Sequence, residues 1–136
     1  MKKIRITIIL LSLIGLLLSG CGGAKFSITS SSKNAKIQIN DVEDGTFAEI
    51  SDMYVSSGKT VHVESSLNKG KLKIEFCEAI DVSTGDEADE YVAGAVMDMV
   101  EVGPGETKEV ALDVGRYVLQ LTTVGQTDGT VQINIE

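Results

Sequence analysis

Tryptophan is absent from the 136 residues, histidine and proline occur once each, and cysteine occurs twice. Each scarcity excludes a class of protein. Sugar-processing and sugar-binding sites lean on aromatic platforms, and without Trp only six Phe and Tyr remain. Phe76 and Tyr117 fall in phase with strand cores, so carbohydrate binding is a poor fit. One histidine, His62, would have to carry any Ser–His–Asp or Cys–His system, and no nucleophile motif surrounds a serine or Cys77. A three-ligand N/S zinc site needs more than His62 and one cysteine. Fourteen glycines without a period and one proline exclude a collagen-like chain, and two cysteines exclude a disulfide scaffold. Gly103-Pro104-Gly105 and Gly22-Gly23 read as a turn and a tether, because no phosphate-binding fingerprint precedes a helix. Only one long apolar run exists, Ile6 to Leu18. Its 13 residues fall short of the ~20 that cross a bilayer.

That run is framed as an export signal over residues 1–20. Lys2, Lys3 and Arg5 supply the positive start, Ile6 to Leu18 the apolar centre, and Ser19-Gly20 the small residues before a cut. The sequence Leu18-Ser19-Gly20-Cys21 resembles the lipobox of bacterial lipoproteins. The resemblance implies that the Cys21 thiol receives diacylglycerol and that a signal peptidase then cleaves before it. The residue types suit the chemistry, since a thiolate forms the thioether and small neighbours admit the backbone to a protease. Acyl chains at ~0.8 kcal/mol per buried CH₂ hold a protein stably when there are two, without a basic patch. With Gly rather than Asp at position 22, the sorting pattern points to the outer membrane where the host has one. In a one-membrane host the chain faces outward from the plasma membrane.

Removing residues 1–20 leaves 116, enough for one domain. It also leaves nine basic side chains against 20 acidic, a balance of −11. That argues against nucleic acid, which demands a basic footprint, and against adsorption to anionic lipid. Residues 21–35 read as the lipidated N-terminus and a tether, with a short edge strand around Phe26 and Ile28. Residues 36–136 read as the domain.

From Lys36 the apolar period is two. Ile37 and Ile39, Val61 and Val63, Leu72 to Phe76, Val110 to Val114, Tyr117 to Leu121, and Val131 to Ile135 each alternate with polar residues. Such alternation makes strands with one face on a core and one in water. Turn signals separate them at Asp44-Gly45, Ser57-Gly58, Asn68-Lys69-Gly70, Thr84-Gly85, Gly103-Pro104-Gly105, Val114-Gly115 and Asp128-Gly129. Eight or nine strands at this spacing predict an all-β, antiparallel sandwich, Ig-like or jelly-roll-like, after an N-terminal signal helix. Gly94 marks a bulge or close approach in a strand after the acidic run, which itself reads as a loop with at most one helical turn. Asp113-Val114-Gly115-Arg116-Tyr117 fits either a tyrosine corner or a plain core tyrosine after a turn.

Four acids, Asp86, Glu87, Asp89 and Glu90, are candidate oxygen ligands for Ca²⁺, set against a solvated charge run because they lack the EF-hand alternation and glycine. Cys77 is the thiol left over once Cys21 is acylated. It is out of phase with Leu72, Ile74 and Phe76 and should share a face with Lys73 and Glu75. It is either half-covered by a neighbouring segment or paired between molecules. His62 reads as an exposed strand histidine. The segments Ser57 to Glu64, Leu67 to Phe76, Gly115 to Gln120 and Gly129 to Ile133 are similar to small lipoproteins of Gram-positive gut anaerobes. That similarity implies a fold and a location but no chemistry. The expected protein is a lipid-anchored, extracytoplasmic binding or interaction module with no cofactor and no catalytic residues. Its expected partners are the membrane, through diacylglycerol on Cys21, and an envelope protein. The alternative is a Ca²⁺-dependent carbohydrate-handling module or small envelope enzyme using the loop carboxylates.

Overall fold

A computed structural model describes residues 26–83 and 90–136. The signal segment 1–20, Cys21, and the acids Asp86, Glu87 and Asp89 lie outside the described residues. Among the described residues seven strands form: β1 Phe26–Ser30, β2 Asn34–Val42, β3 Phe47–Val55, β4 Val61–Asp81, β5 Tyr91–Val102, β6 Thr107–Val110 and β7 Gly115–Ile135. Every pairing among them is antiparallel.

Two of the seven, β4 and β7, are 21 residues long, and they serve both layers of a sandwich. The first half of β4 and the second half of β7 pair with each other, flanked by β6 on one side and by β2 and then β1 on the other. The second half of β4 and the first half of β7 pair again, flanked by β5 and β3. We call these layers sheet I and sheet II. The seven strands therefore supply nine strand segments. Val61 of sheet I and Phe76 of sheet II, far apart along β4, line one small void together with Met53, Tyr117, Leu119 and Ile133, so the layers face each other. That void is apolar and measures about 10 Å³, room for no ligand.

The bend is built where the sequence showed turns. Asn68-Lys69-Gly70 and Asp128-Gly129 do not end strands. They are register breaks inside β4 and β7, between Leu67 and Lys71. Glycine is obligatory here because the two chains nearly touch: a Cβ on Gly129 would lie 2.5 Å from the Leu67 Cα, at a φ of +131°. A Cβ on Gly70 would lie 2.5 Å from the Gln126 carbonyl oxygen. Buried Thr127 fills the corner, its Oγ1 2.9 Å from the Gly125 carbonyl. Outside it, Asp128 accepts the Asp41 N–H at 3.0 Å and the Asn68 amide at 2.8 Å. Asp41 sits at φ +54°, a left-handed conformation that aspartate tolerates better than most residues.

The core follows the period of two. Ile37, Ile39, Val61, Val63, Leu72, Ile74, Phe76, Leu119, Leu121, Val131 and Ile133 are all buried. Val114 departs from its alternation and is 55% exposed, because β6 stops at Val110 and the chain leaves the sheet before β7. The ordered sandwich starts earlier than residue 36. Phe26 and Ile28 are buried, and β1 pairs along β2 from Phe26 opposite Ile39 to Ser30 opposite Ala35. Two buried apolar side chains in alternation are enough to recruit this edge strand, where the sequence suggested one around Phe26 and Ile28. The Tyr117 hydroxyl donates to the Asp113 carbonyl at 2.7 Å, the bond of a tyrosine corner. Burial, and the charge of Asp113 after it, push the Tyr117 phenol up.

Candidate functional site

The outer face of sheet II gathers the chemistry. Its floor is a row in register, Glu49 on β3, Gln120 on β7, Glu75 on β4 and Met99 on β5. The Gln120 amide donates to Glu49 Oε2 at 3.0 Å, and its carbonyl oxygen lies 3.7 Å from the Cys77 sulfur. One rung along, Cys77 pairs with Val118 on β7 and Val96 on β5. Cys77 and Val118 are fully buried although they alternate with the core residues. Cys77 keeps the face predicted for it, with Glu75, but is covered completely rather than by half. Register breaks against β5 on both sides of it mark where the strands tighten. Burial, then the charges of Glu75 and Glu49, push its thiol up, so it is held as a neutral thiol rather than a nucleophilic thiolate.

At the end of this face stands Arg116. It is the register partner of Tyr54, and its guanidinium carbon lies 5.5 Å from the Tyr54 ring centre and 5.0 Å from that of Tyr91. The same guanidinium bonds the nearly buried Asp52 carboxylate, which a β3 register break between Ile50 and Met53 swings onto the outer side. Strands β3 and β5 lie at opposite edges of sheet II, yet they touch. The sheet therefore curls, and Tyr91 from one edge and Tyr54 from the other meet over Arg116. Asp81, opposite Tyr91, accepts the backbone N–H of Ser83 at 2.9 Å and the Ser83 hydroxyl. Those two bonds, with the Arg116 charge behind them, hold its carboxyl below the usual range.

The edge beyond is apolar. Among the described residues ten large apolar ones are strongly exposed, and six of them, Ile80, Val82, Val92, Val96, Met97 and Met99, lie on or beside the β4–β5 ribbon. Isolated exposed apolar residues need no explanation, whereas six on one ribbon are a local concentration.

The residues singled out by sequence fall elsewhere. His62 stands on sheet I, its Nδ1 3.3 Å from Glu109 on β6, remote in register from Arg116. Of the four calcium candidates only Glu90 is described; it is exposed and its carbonyl accepts the Val82 N–H at 2.9 Å. No group of three or more metal-ligating side chains occurs among the described residues. Gly94 does lie at a break in register, where a Cβ would meet the Ile80 side chain at 2.7 Å. The Arg116 stack was not visible in the sequence, where only Phe76 and Tyr117 among the aromatic residues fall clearly in phase with strand cores. Tyr54 and Phe47 are in fact exposed, and Tyr91 is half-buried. Arg116 sits at a polar phase of β7, which was the available signal; Asp52 and Tyr54 share the sequence phase of buried Ala48 and Ile50 and reach the outer side only through the bulge.

No protein-family model matches the chain, and no curated protein matches it in sequence. Solved structures are similar in shape. The crystal structure of PirA shares 14% identity over 79% of this chain and 97% of its own, with a TM-score of 0.48. A solution structure of a de novo designed double-stranded β-helix shares 18% over 76% and 99%, with a TM-score of 0.41. A Clostridium thermocellum family 35 carbohydrate-binding module shares 14% over 80% and 87%, with a TM-score of 0.36. At these values the likenesses carry no argument about a ligand.

Proposed function

We propose that this chain is a lipid-anchored, non-catalytic interaction module on the outer face of a bacterial membrane. The reading is carried by the succession Leu18-Ser19-Gly20-Cys21 and then, from Phe26, a β-sandwich strand. Five residue steps separate the acylated cysteine from Phe26. Fully extended they reach roughly 17 Å, so the sandwich sits close above the lipid headgroups. The outer face of sheet II supports binding rather than turnover: a stacked guanidinium, two tyrosines, acids and an apolar ribbon, with Cys77 covered. Cys21→Ala in the producing cell tests the anchor. The variant should appear in the medium or stay unprocessed in fractionation; ordinary membrane retention would refute the reading.

A further inference from the structure

We propose that the free edge of β5 is a docking strand for an extended, lysine- or arginine-bearing segment of a partner protein; this deepens the interaction reading above and rests on it. Among the described residues β5 pairs with β4 alone. At 12 residues it is the longest strand paired on a single side, and Tyr91–Val102 contains neither lysine nor proline, the usual guards of an edge. One edge donor is already turned outward. The Met99 N–H bonds the Asp98 carboxylate at 2.7 Å instead of a neighbouring strand. An incoming backbone carbonyl would replace that carboxylate, and the freed Asp98 would meet a cation. From Asp98 to Val102 the register with β4 is unbroken, a straight template of five residues. Breaks at Met97 and Gly94–Ala95 interrupt the remainder and limit indefinite stacking. Val96, Met97 and Met99, each about half exposed, provide the apolar contacts.

Charge selects the occupant. Over residues 71–83 and 90–102 the ribbon carries Glu75, Glu78, Asp81, Glu90, Asp98 and Glu101 against only Lys71 and Lys73, both near the Val102 end. Lys71 is already 3.9 Å from Glu101. A second copy would set these acids against their own images, which strand pairing penalises, whereas a basic extended segment complements them.

The test uses the full-length chain in dodecyl maltoside micelles and three synthetic decapeptides: alternating Val and Lys, alternating Val and Glu, and alternating Pro and Lys. Titration calorimetry and hydrogen exchange are read together. The Val–Lys peptide should bind at least tenfold more tightly than either other peptide and should slow exchange within residues 91–102. Asp98→Lys, which leaves the β4 ladder intact, should shift the preference toward the Val–Glu peptide. Met99→Pro should abolish the protection, because it blocks the edge without removing a bond to β4. Equal binding of the Pro–Lys peptide would reduce the effect to bulk charge and overturn the proposal. Protection elsewhere, no binding of any peptide, or a stable dimer by sedimentation would overturn it too. Because Cys21→Ala fractionation is independent of these peptides, failure of the docking strand and failure of the anchor are distinguishable.

Discussion

Gly129→Ala is the sharpest test of how the sandwich is bent. The added methyl would lie 2.5 Å from the Leu67 Cα, 2.7 Å from the Ser66 carbonyl oxygen and 2.9 Å from the Asn68 nitrogen. All three are backbone atoms, so no side-chain rotation relieves the clash. Overpacking of this kind costs ~1–3 kcal/mol, and an alanine forced to positive φ adds ~1–2 kcal/mol, so the total is about 2–5 kcal/mol. The control is Gly58→Ala, at φ +78° with no atom within 4 Å of the new methyl. It carries only the conformational term of ~1–2 kcal/mol. For a domain of this size about 1 kcal/mol moves Tm by roughly 4 °C, so the two variants should melt some 4–12 °C apart. Urea unfolding of the full-length chain, followed by circular dichroism, gives the same difference at fixed temperature. If Gly129→Ala and Gly58→Ala were equally stable, close strand approach would not be the reason for glycine in the corner, and the account of the bend would fall.

Tyr117→Phe should cost about 1–2 kcal/mol, the loss of one part-buried hydrogen bond to the Asp113 carbonyl, read from urea midpoints; no change would make Tyr117 a plain core residue. Arg116→Gln should cost about 1–2 kcal/mol, discounted because the guanidinium is partly exposed while Asp52 is not. A double-mutant cycle with Asp52→Asn should show coupling, and additive effects would contradict the pairing. Cys77 should react slowly with thiol reagents in the native protein and quickly after denaturation. Its folded thiol is raised above the ordinary 9.0, so the stability it contributes is complete below that value and lost as pH rises through the folded one. Tyr117 acts in the same direction above 10.0. Cys77→Ala should therefore flatten the alkaline loss of stability, and an unchanged pH slope would show that the thiol does not titrate with unfolding.

Strand identity was legible because alternation is a local property. Ile37 and Ile39, or Val131 and Ile133, have one face to bury, and the period of two says which. The corner was not legible in the same way. Asn68-Lys69-Gly70 carries identical turn chemistry whether the chain reverses or continues with a kink, and only the opposing glycine at position 129 decides between them. The side taken by Tyr54 was hidden for a related reason: the bulge after Ile50 resets the alternation in β3 and puts Asp52 and Tyr54 on the outer side together. Nor does spacing reveal that Tyr54 and Tyr91 meet over Arg116. That depends on curling of the whole sheet, which no single strand encodes.

Strand β7 is the hub of both layers, pairing with β2, β3 and β4. Residues 26–114 therefore contain hairpin pieces but no complete layer, and neither layer can close before Gly115–Ile135 arrives. During vectorial synthesis, such a chain holds no closed layer until its hub strand is delivered. The order of strands thus ties closure of both layers to one event, the pairing of β7.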